Sequence, residues 1–108
     1  MLSTHVLDIA RGVPAAGVAV ELARIGADRA VIAREVTDAD GRIRAPFGGA
    51  LVPGVYELVF HAGAYFSRWA TASIYDEIAV RFTISADAQS LHVPLLLAPH
   101  GYSTYRGS

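Results

Sequence analysis

Apolar residues recur at every second position through much of this chain. In IAVRFTI, Ile78, Val80, Phe82 and Ile84 alternate with Ala79, Arg81 and Thr83, the pattern of a strand with one buried face. VYELVF sets Tyr56, Leu58 and Phe60 against Val55, Glu57 and Val59, and GVAVEL aligns Val18, Val20 and Leu22. Turn chemistry separates these runs. Pro14 fixes φ in GVPAAG, the aspartates of TDADGR bond back to nearby backbone while Gly41 supplies a positive φ, and Pro53-Gly54 marks a further reversal. One stretch departs from the period of two. AYFSRWATA, residues 64–72, spaces Tyr65, Trp69 and Ala72 at i, i+4 and i+7, which predicts a short helix. Short strands joined by turns, with one helix, predict an all-β sandwich.

The same alternation assigns polar side chains to faces. In LHVPLLLA, Leu91, Val93, Leu95 and Leu97 share one face, and His92, Pro94 and Leu96 share the other. In LSTHVLDI, Leu2, Thr4 and Val6 point one way, whereas His5 points the other with Ser3 and Leu7. Two histidines therefore face outward from otherwise apolar strands, free to meet solvent, a ligand or another subunit. For any one of them the plain alternative is a surface imidazole that titrates near neutrality and does nothing. His61, closing a strand beside Gly63, reads as a surface residue. No two of the four histidines lie at the i, i+2 or i, i+4 spacing that metal ligands favour, so no metal site and no cofactor are expected. Arg42 directly follows a turn, which by itself suits a solvated arginine. The closing HGYSTYRGS raises a sharper question. Its two tyrosines, arginine and Gly-Ser either form an ordinary edge strand or belong to a site.

Composition narrows the possibilities. The 108 residues fit one domain over 1–108, and 53% of them are hydrophobic, more than a small lone domain usually covers, so self-association is expected. A net charge of −1, with charges scattered, gives no footprint for nucleic acid. The absence of cysteine removes disulfides, thiolate catalysis and thiolate-bound zinc. No stretch approaches the ~20 apolar residues of a membrane span. MLSTHVLDIARG, with its Ser-Thr-His start and Asp8, does not read as a signal peptide, and a cytoplasmic protein with no membrane partner is expected.

Three blocks, LSTHVLDIARGVPAAGVAVEL, TDADGRI and LHVPLLLAPHGYSTYRGS, resemble the transthyretin-related family, and specifically its 5-hydroxyisourate hydrolase branch. The likeness runs over essentially the whole chain. It implies a transthyretin-like (prealbumin-like) β-sandwich of about eight strands with one short helix. It also implies a homotetramer, a dimer of dimers whose outward-facing sheets line a central channel. The implied reaction opens the six-membered ring of 5-hydroxyisourate by amide hydrolysis in urate degradation. The family's functional positions fall on His5, Arg42, His92, Tyr105 and Ser108, which would make the chain's end part of the site wall. His5 and His92 would position and activate a water, Arg42 would hold substrate oxygens, Tyr105 would bind or stack on the ring, and Ser108 would bond substrate or orient a histidine. Which histidine is the base is left open by sequence. The chain departs from common family patterns at Ser90, at SIYDE after the helix, and at His100, none of them a mapped position. Two other readings are a carrier of a small aromatic ligand in the same channel, as in the hormone-transport branch, and a purely structural sandwich.

Overall fold

The computed structural model describes residues 1–87 and 90–108. Its strands are β1 (Leu2–Asp8), β2 (Val13–Pro14), β3 (Ala19–Ile25), β4 (Arg29–Val36), β5 (Arg42–Ile43), β6 (Gly54–Phe60), β7 (Ile78–Ile84), β8 (Leu91–Ala98) and β9 (Gly101–Thr104), with one helix, α1 (Ala62–Arg68), between β6 and β7. They form two sheets, β2-β1-β8-β9 with β5 also on β1, and β4-β3-β6-β7. This is the all-β sandwich expected from the alternation, with two of its strands only two residues long.

Period-two patterning places the core between the sheets. Leu2, Val6, Leu95 and Leu97 from the first sheet meet Val20, Leu22, Leu58 and Phe60 from the second, all essentially without solvent contact. Burying each such side chain contributes about 1.5–3 kcal/mol. Helix α1 plugs one end of the sandwich with Tyr65 and Phe66. It starts and stops earlier than the sequence spacing predicts, and its end is set where Ala70 turns left-handed at φ +50°. The N–H of Thr71 then reaches Phe66 O and that of Ala70 reaches Ser67 O, the double closure that caps a helix end. Trp69 is left at the cap, 49% exposed, beneath the Arg11 guanidinium, whose carbon lies 3.5 Å from the ring centroid.

Two features set the stage for the site. Strand β1 runs parallel to β8, with Ser3 opposite His92 and His5 opposite Pro94. On its other edge β1 is shared: β2 pairs with Leu7 and Asp8, and β5 with Thr4 and His5. Gly41 makes the second pairing possible. Its φ is +76°, its carbonyl accepts the Val6 N–H at 2.7 Å, and a Cβ there would sit 2.3 Å from Val6 O.

Strand β4 escaped the alternation test, since all but one of its residues are exposed and neither face carries a clean apolar row.

Candidate active site

Asp38 builds the turn that delivers Arg42. One carboxylate oxygen accepts the N–H of Asp40 at 2.8 Å and that of Arg42 at 2.9 Å, and the Asp38 N–H returns to Arg42 O at 2.9 Å. The bond from the Arg42 N–H is the main cause that holds the Asp38 carboxyl below its ordinary range, so it stays ionised at neutral pH. Pairing His5 with Arg42 then sets imidazole and guanidinium side by side on the outer face of β1 and β5. Arg44, one further outward position along, reaches back to Asp38 and Asp40 at 3.7 and 3.6 Å. Among the described residues, the Arg42 guanidinium has no carboxylate partner.

The parallel ladder brings His92 to the same place. Its Nδ1 lies 2.8 Å from Ser3 Oγ, and its carbonyl accepts the Gly107 N–H at 2.7 Å. Burial, then the charges of Arg42 and His5, pull the His92 pKa below its ordinary value, with only a contact to the Ser3 backbone acting the other way. The ring is therefore neutral at pH 7 and able to accept a proton. His5 is held differently. Its Nε2 lies 2.8 Å from Asp40 O, and because a carbonyl only accepts, that nitrogen carries the hydrogen.

A cavity of about 360 Å³ opens beside these groups, lined among others by Ser3, Arg42, Arg44, Ser90, His92 and Ser108. That size suits a small planar molecule. His5 flanks the cavity through its pairing with Arg42 but is not part of its wall. Tyr105 lies elsewhere within the chain. It is 54% exposed and lines a second groove with Val80, Phe82, Leu91 and Val93.

Pro94 explains the division between Tyr105 and Ser108. In β8 the carbonyls of His92 and Pro94 both face the C-terminal segment, bonded to Gly107 N–H and to Thr104 Oγ1 (2.7 Å). Proline offers no N–H on that side, so the ladder lacks a donor at this point. The segment leaves pairing after Thr104, lets Tyr105 and Arg106 project, and returns at Gly107. Gly107 approaches His92 so closely that a Cβ would lie 2.5 Å from its Cδ2.

Sequence reading missed Ser3 and Arg44 as site residues. Arg44 was within reach, since in GRIRA the buried Ile43 puts residues 42 and 44 on one face. Ser3 was placed on the correct face, but its partner depends on a pairing between strands 89 positions apart.

Comparison with known proteins gives these residues a setting. The HIUase/Transthyretin family model matches residues 2–107. A protein of Deinococcus radiodurans named 5-hydroxyisourate hydrolase is 47% identical over 99% of this chain and 95% of its own length. A solved Klebsiella pneumoniae 5-hydroxyisourate hydrolase superposes with a TM-score of 0.88 at 44% identity, covering 99% of this chain and 98% of that one. Sea bream transthyretin in complex with thyroxine superposes with a TM-score of 0.91 at 28% identity, covering 98% and 93%. Backbone shape thus fits enzyme and carrier equally well, and side chains must decide.

Proposed function

The chain belongs to the HIUase/Transthyretin family, and from that premise we infer that it is a 5-hydroxyisourate hydrolase, opening the six-membered ring of its substrate to 2-oxo-4-hydroxy-4-carboxy-5-ureidoimidazoline in urate degradation. The observation that carries this reading is the meeting, on one small cavity, of a neutral, half-buried His92 imidazole and an Arg42 guanidinium that has no carboxylate partner among the described residues. A carrier of apolar ligands has no use for a base beside a cation.

Amide hydrolysis requires a water deprotonated as it attacks, a counter-charge for the oxyanion, and a proton for the departing nitrogen. In the proposed reaction the water oxygen bonds to the ring carbonyl carbon while an imidazole takes its proton, typically worth 10²- to 10⁴-fold. Arg42 donates to the oxygen that becomes negative. The C–N bond then breaks, and the imidazolium returns its proton to the nitrogen. His5, fixed by the Asp40 carbonyl, orients water or substrate at the edge of the cavity. Ser108 bonds the substrate from the cavity wall, and Tyr105 binds or stacks on the ring.

The same proposal includes a homotetramer and a cytoplasmic location. Supporting the assembly, β7 and β9 each end a sheet, and the groove between them exposes Tyr105 beside Val80, Phe82 and Leu91. A second copy seated there would cover those apolar groups and carry Tyr105 toward a facing subunit. Among the described residues, no helix is long and apolar enough to cross a membrane.

The test is direct. 5-Hydroxyisourate is generated from urate with urate oxidase and its ultraviolet absorbance followed. Faster decay with the protein is expected. An absorbance shift with unchanged decay would establish the carrier instead, and sedimentation of a monomer would remove the tetramer.

A further inference from the structure

A neutral imidazole has one N–H, and the nitrogen that keeps it cannot act as a base. For His92 the choice between nitrogens falls to Ser3, whose Oγ lies 2.8 Å from Nδ1. We propose that Ser3 is a positioning residue for the hydrolysis: its hydroxyl accepts the Nδ1 hydrogen of His92 and so leaves Nε2 unprotonated to take the proton of the attacking water. The proposal rests on the hydrolase reading and names which histidine is the base.

Several observations support this direction of the bond. Ser3 Oγ lies within hydrogen-bond distance of Nδ1, and the other contact that acts on the ring comes from the backbone of the same residue. The Arg42 guanidinium lines the same cavity, and its charge acts on the His92 ring. The ring is wedged, with Ser3 directly across the ladder on β1 and the Gly107 backbone against Cδ2. Charged or titratable groups near it are His5 from β1, Arg42 from β5, and, farther along the cavity wall, the Met1 amino group and Arg44, the latter paired with Asp38 and Asp40. From the C-terminal segment, Gly107 and Ser108 adjoin it.

His5 makes a useful contrast. The Asp40 carbonyl holds a hydrogen on its Nε2, so Nδ1 is the bare nitrogen whenever that ring is neutral. The two histidines thus keep their hydrogens on opposite nitrogens, one fixed by a carbonyl and the other by a hydroxyl. A carbonyl permits one answer only. A hydroxyl both donates and accepts, so replacing it changes the answer available to His92.

The test uses the intact protein. Nitrogen-15 spectra of histidine-labelled wild type should show Nδ1 of His92 protonated once the ring is neutral; a bare Nδ1 overturns the proposal without reference to activity. In turnover, Ser3→Ala should lower kcat on the order of 10- to 100-fold, the worth of a hydrogen bond to a group that becomes charged, with KM nearly unchanged. Its acid limb should move to lower pH, because the imidazolium has lost an acceptor. Ser3→Thr keeps the hydroxyl and should restore both. Wild-type kcat in Ser3→Ala, or a loss with an unmoved acid limb and no rescue by threonine, reduces Ser3 to a packing residue. Wild type that leaves the decay of 5-hydroxyisourate unchanged overturns the hydrolase reading itself, and the nitrogen spectra still report the Ser3–His92 bond separately.

Discussion

The two sheets bury similar apolar rows against each other, yet their outer faces differ in how charge is held. On β4-β3-β6-β7 three arginines find carboxylates: Arg34 meets Glu21, and Arg29 and Arg81 both meet Glu57, at 3.5 and 3.0 Å. His61 joins them, 3.7 Å from Glu21 and 3.6 Å from Glu77. On the outer side of β5-β1-β8, Arg42 has no such partner among the described residues, and two imidazoles stand near it. A neutralised lattice keeps a sheet hydrated and asks nothing of a ligand. A cation left beside a neutral base leaves interactions to be completed by something that binds.

The largest expected effect separates these faces. His92→Ala should lower kcat/KM by about 10²- to 10⁴-fold, the usual range for a lost general base. Glu57→Gln, on the paired face, should hydrolyse 5-hydroxyisourate as wild type does. Steady-state kinetics on both variants checks the contrast, and a comparable loss in the Glu57 variant would break it.

Next comes the uncompensated cation. Arg42→Gln should cost about 10²-fold in kcat, as removal of an oxyanion donor does elsewhere. It carries a second signature in pH. Burial first, then the positive charges of Arg42 and His5, holds the His92 pKa below 6.5, so the wild-type acid limb of kcat/KM should lie under that value. Removing the Arg42 charge makes the imidazolium easier to form, and the limb should move upward. A limb that stays in place would mean His92 does not govern the profile. Stability carries the same sign: the unfolded chain takes up the His92 proton first, so stability should fall as pH drops below about 6.5.

Gly107 tests the wedge around that ring. A methyl group there would meet His92 Cδ2 at 2.5 Å and Pro94 Cγ at 3.2 Å, and neither the strand nor the proline can yield freely. Gly107→Ala should reduce kcat about tenfold by turning the imidazole, the equivalent of ~1.4 kcal/mol in the barrier. The melting temperature should change little, since the displaced segment is at the sheet's edge. Kinetics and a thermal melt on one sample decide it.

How much of this was legible beforehand follows from what period two can and cannot encode. It assigned Ser3, His5 and His92 to outer faces and set Leu2, Val6, Leu95 and Leu97 inward, because side-chain direction alternates whatever the neighbouring strand is. TDADGR told of a tight turn, and Gly41 with Asp38 bears that out. Neighbour identity is another matter. That β1 lies parallel to β8 depends on the packing of the whole sandwich, so the Ser3–His92 contact was invisible. The exit of Tyr105 from the sheet has a local cause in Pro94, but reading it required knowing which strand lay alongside. Strand β4 failed for the opposite reason: an edge exposed on both faces has no alternation to detect. Helix α1 was found but misplaced, its end fixed by a left-handed Ala70 that no periodicity announces.

The smallest effect is expected on the paired face, and it sharpens the contrast because it concerns stability alone. Arg34 pairs with Glu21, but its side chain is 65% exposed, so water and salt already screen the attraction. Holding a long side chain in one rotamer costs entropy that offsets much of the remaining gain. Arg34→Met keeps most of the aliphatic stem over the sheet and removes only the charge. Its unfolding free energy should therefore differ from wild type by no more than ~1 kcal/mol, and by less in 1 M salt, where the Debye length is about 3 Å. Denaturant titrations at low and high salt measure both quantities. A loss well beyond that, insensitive to salt, would mean the ion pairs of this face hold the sheet together, and hydration would no longer suffice to explain why the sequence neutralises one outer face and leaves Arg42 open on the other.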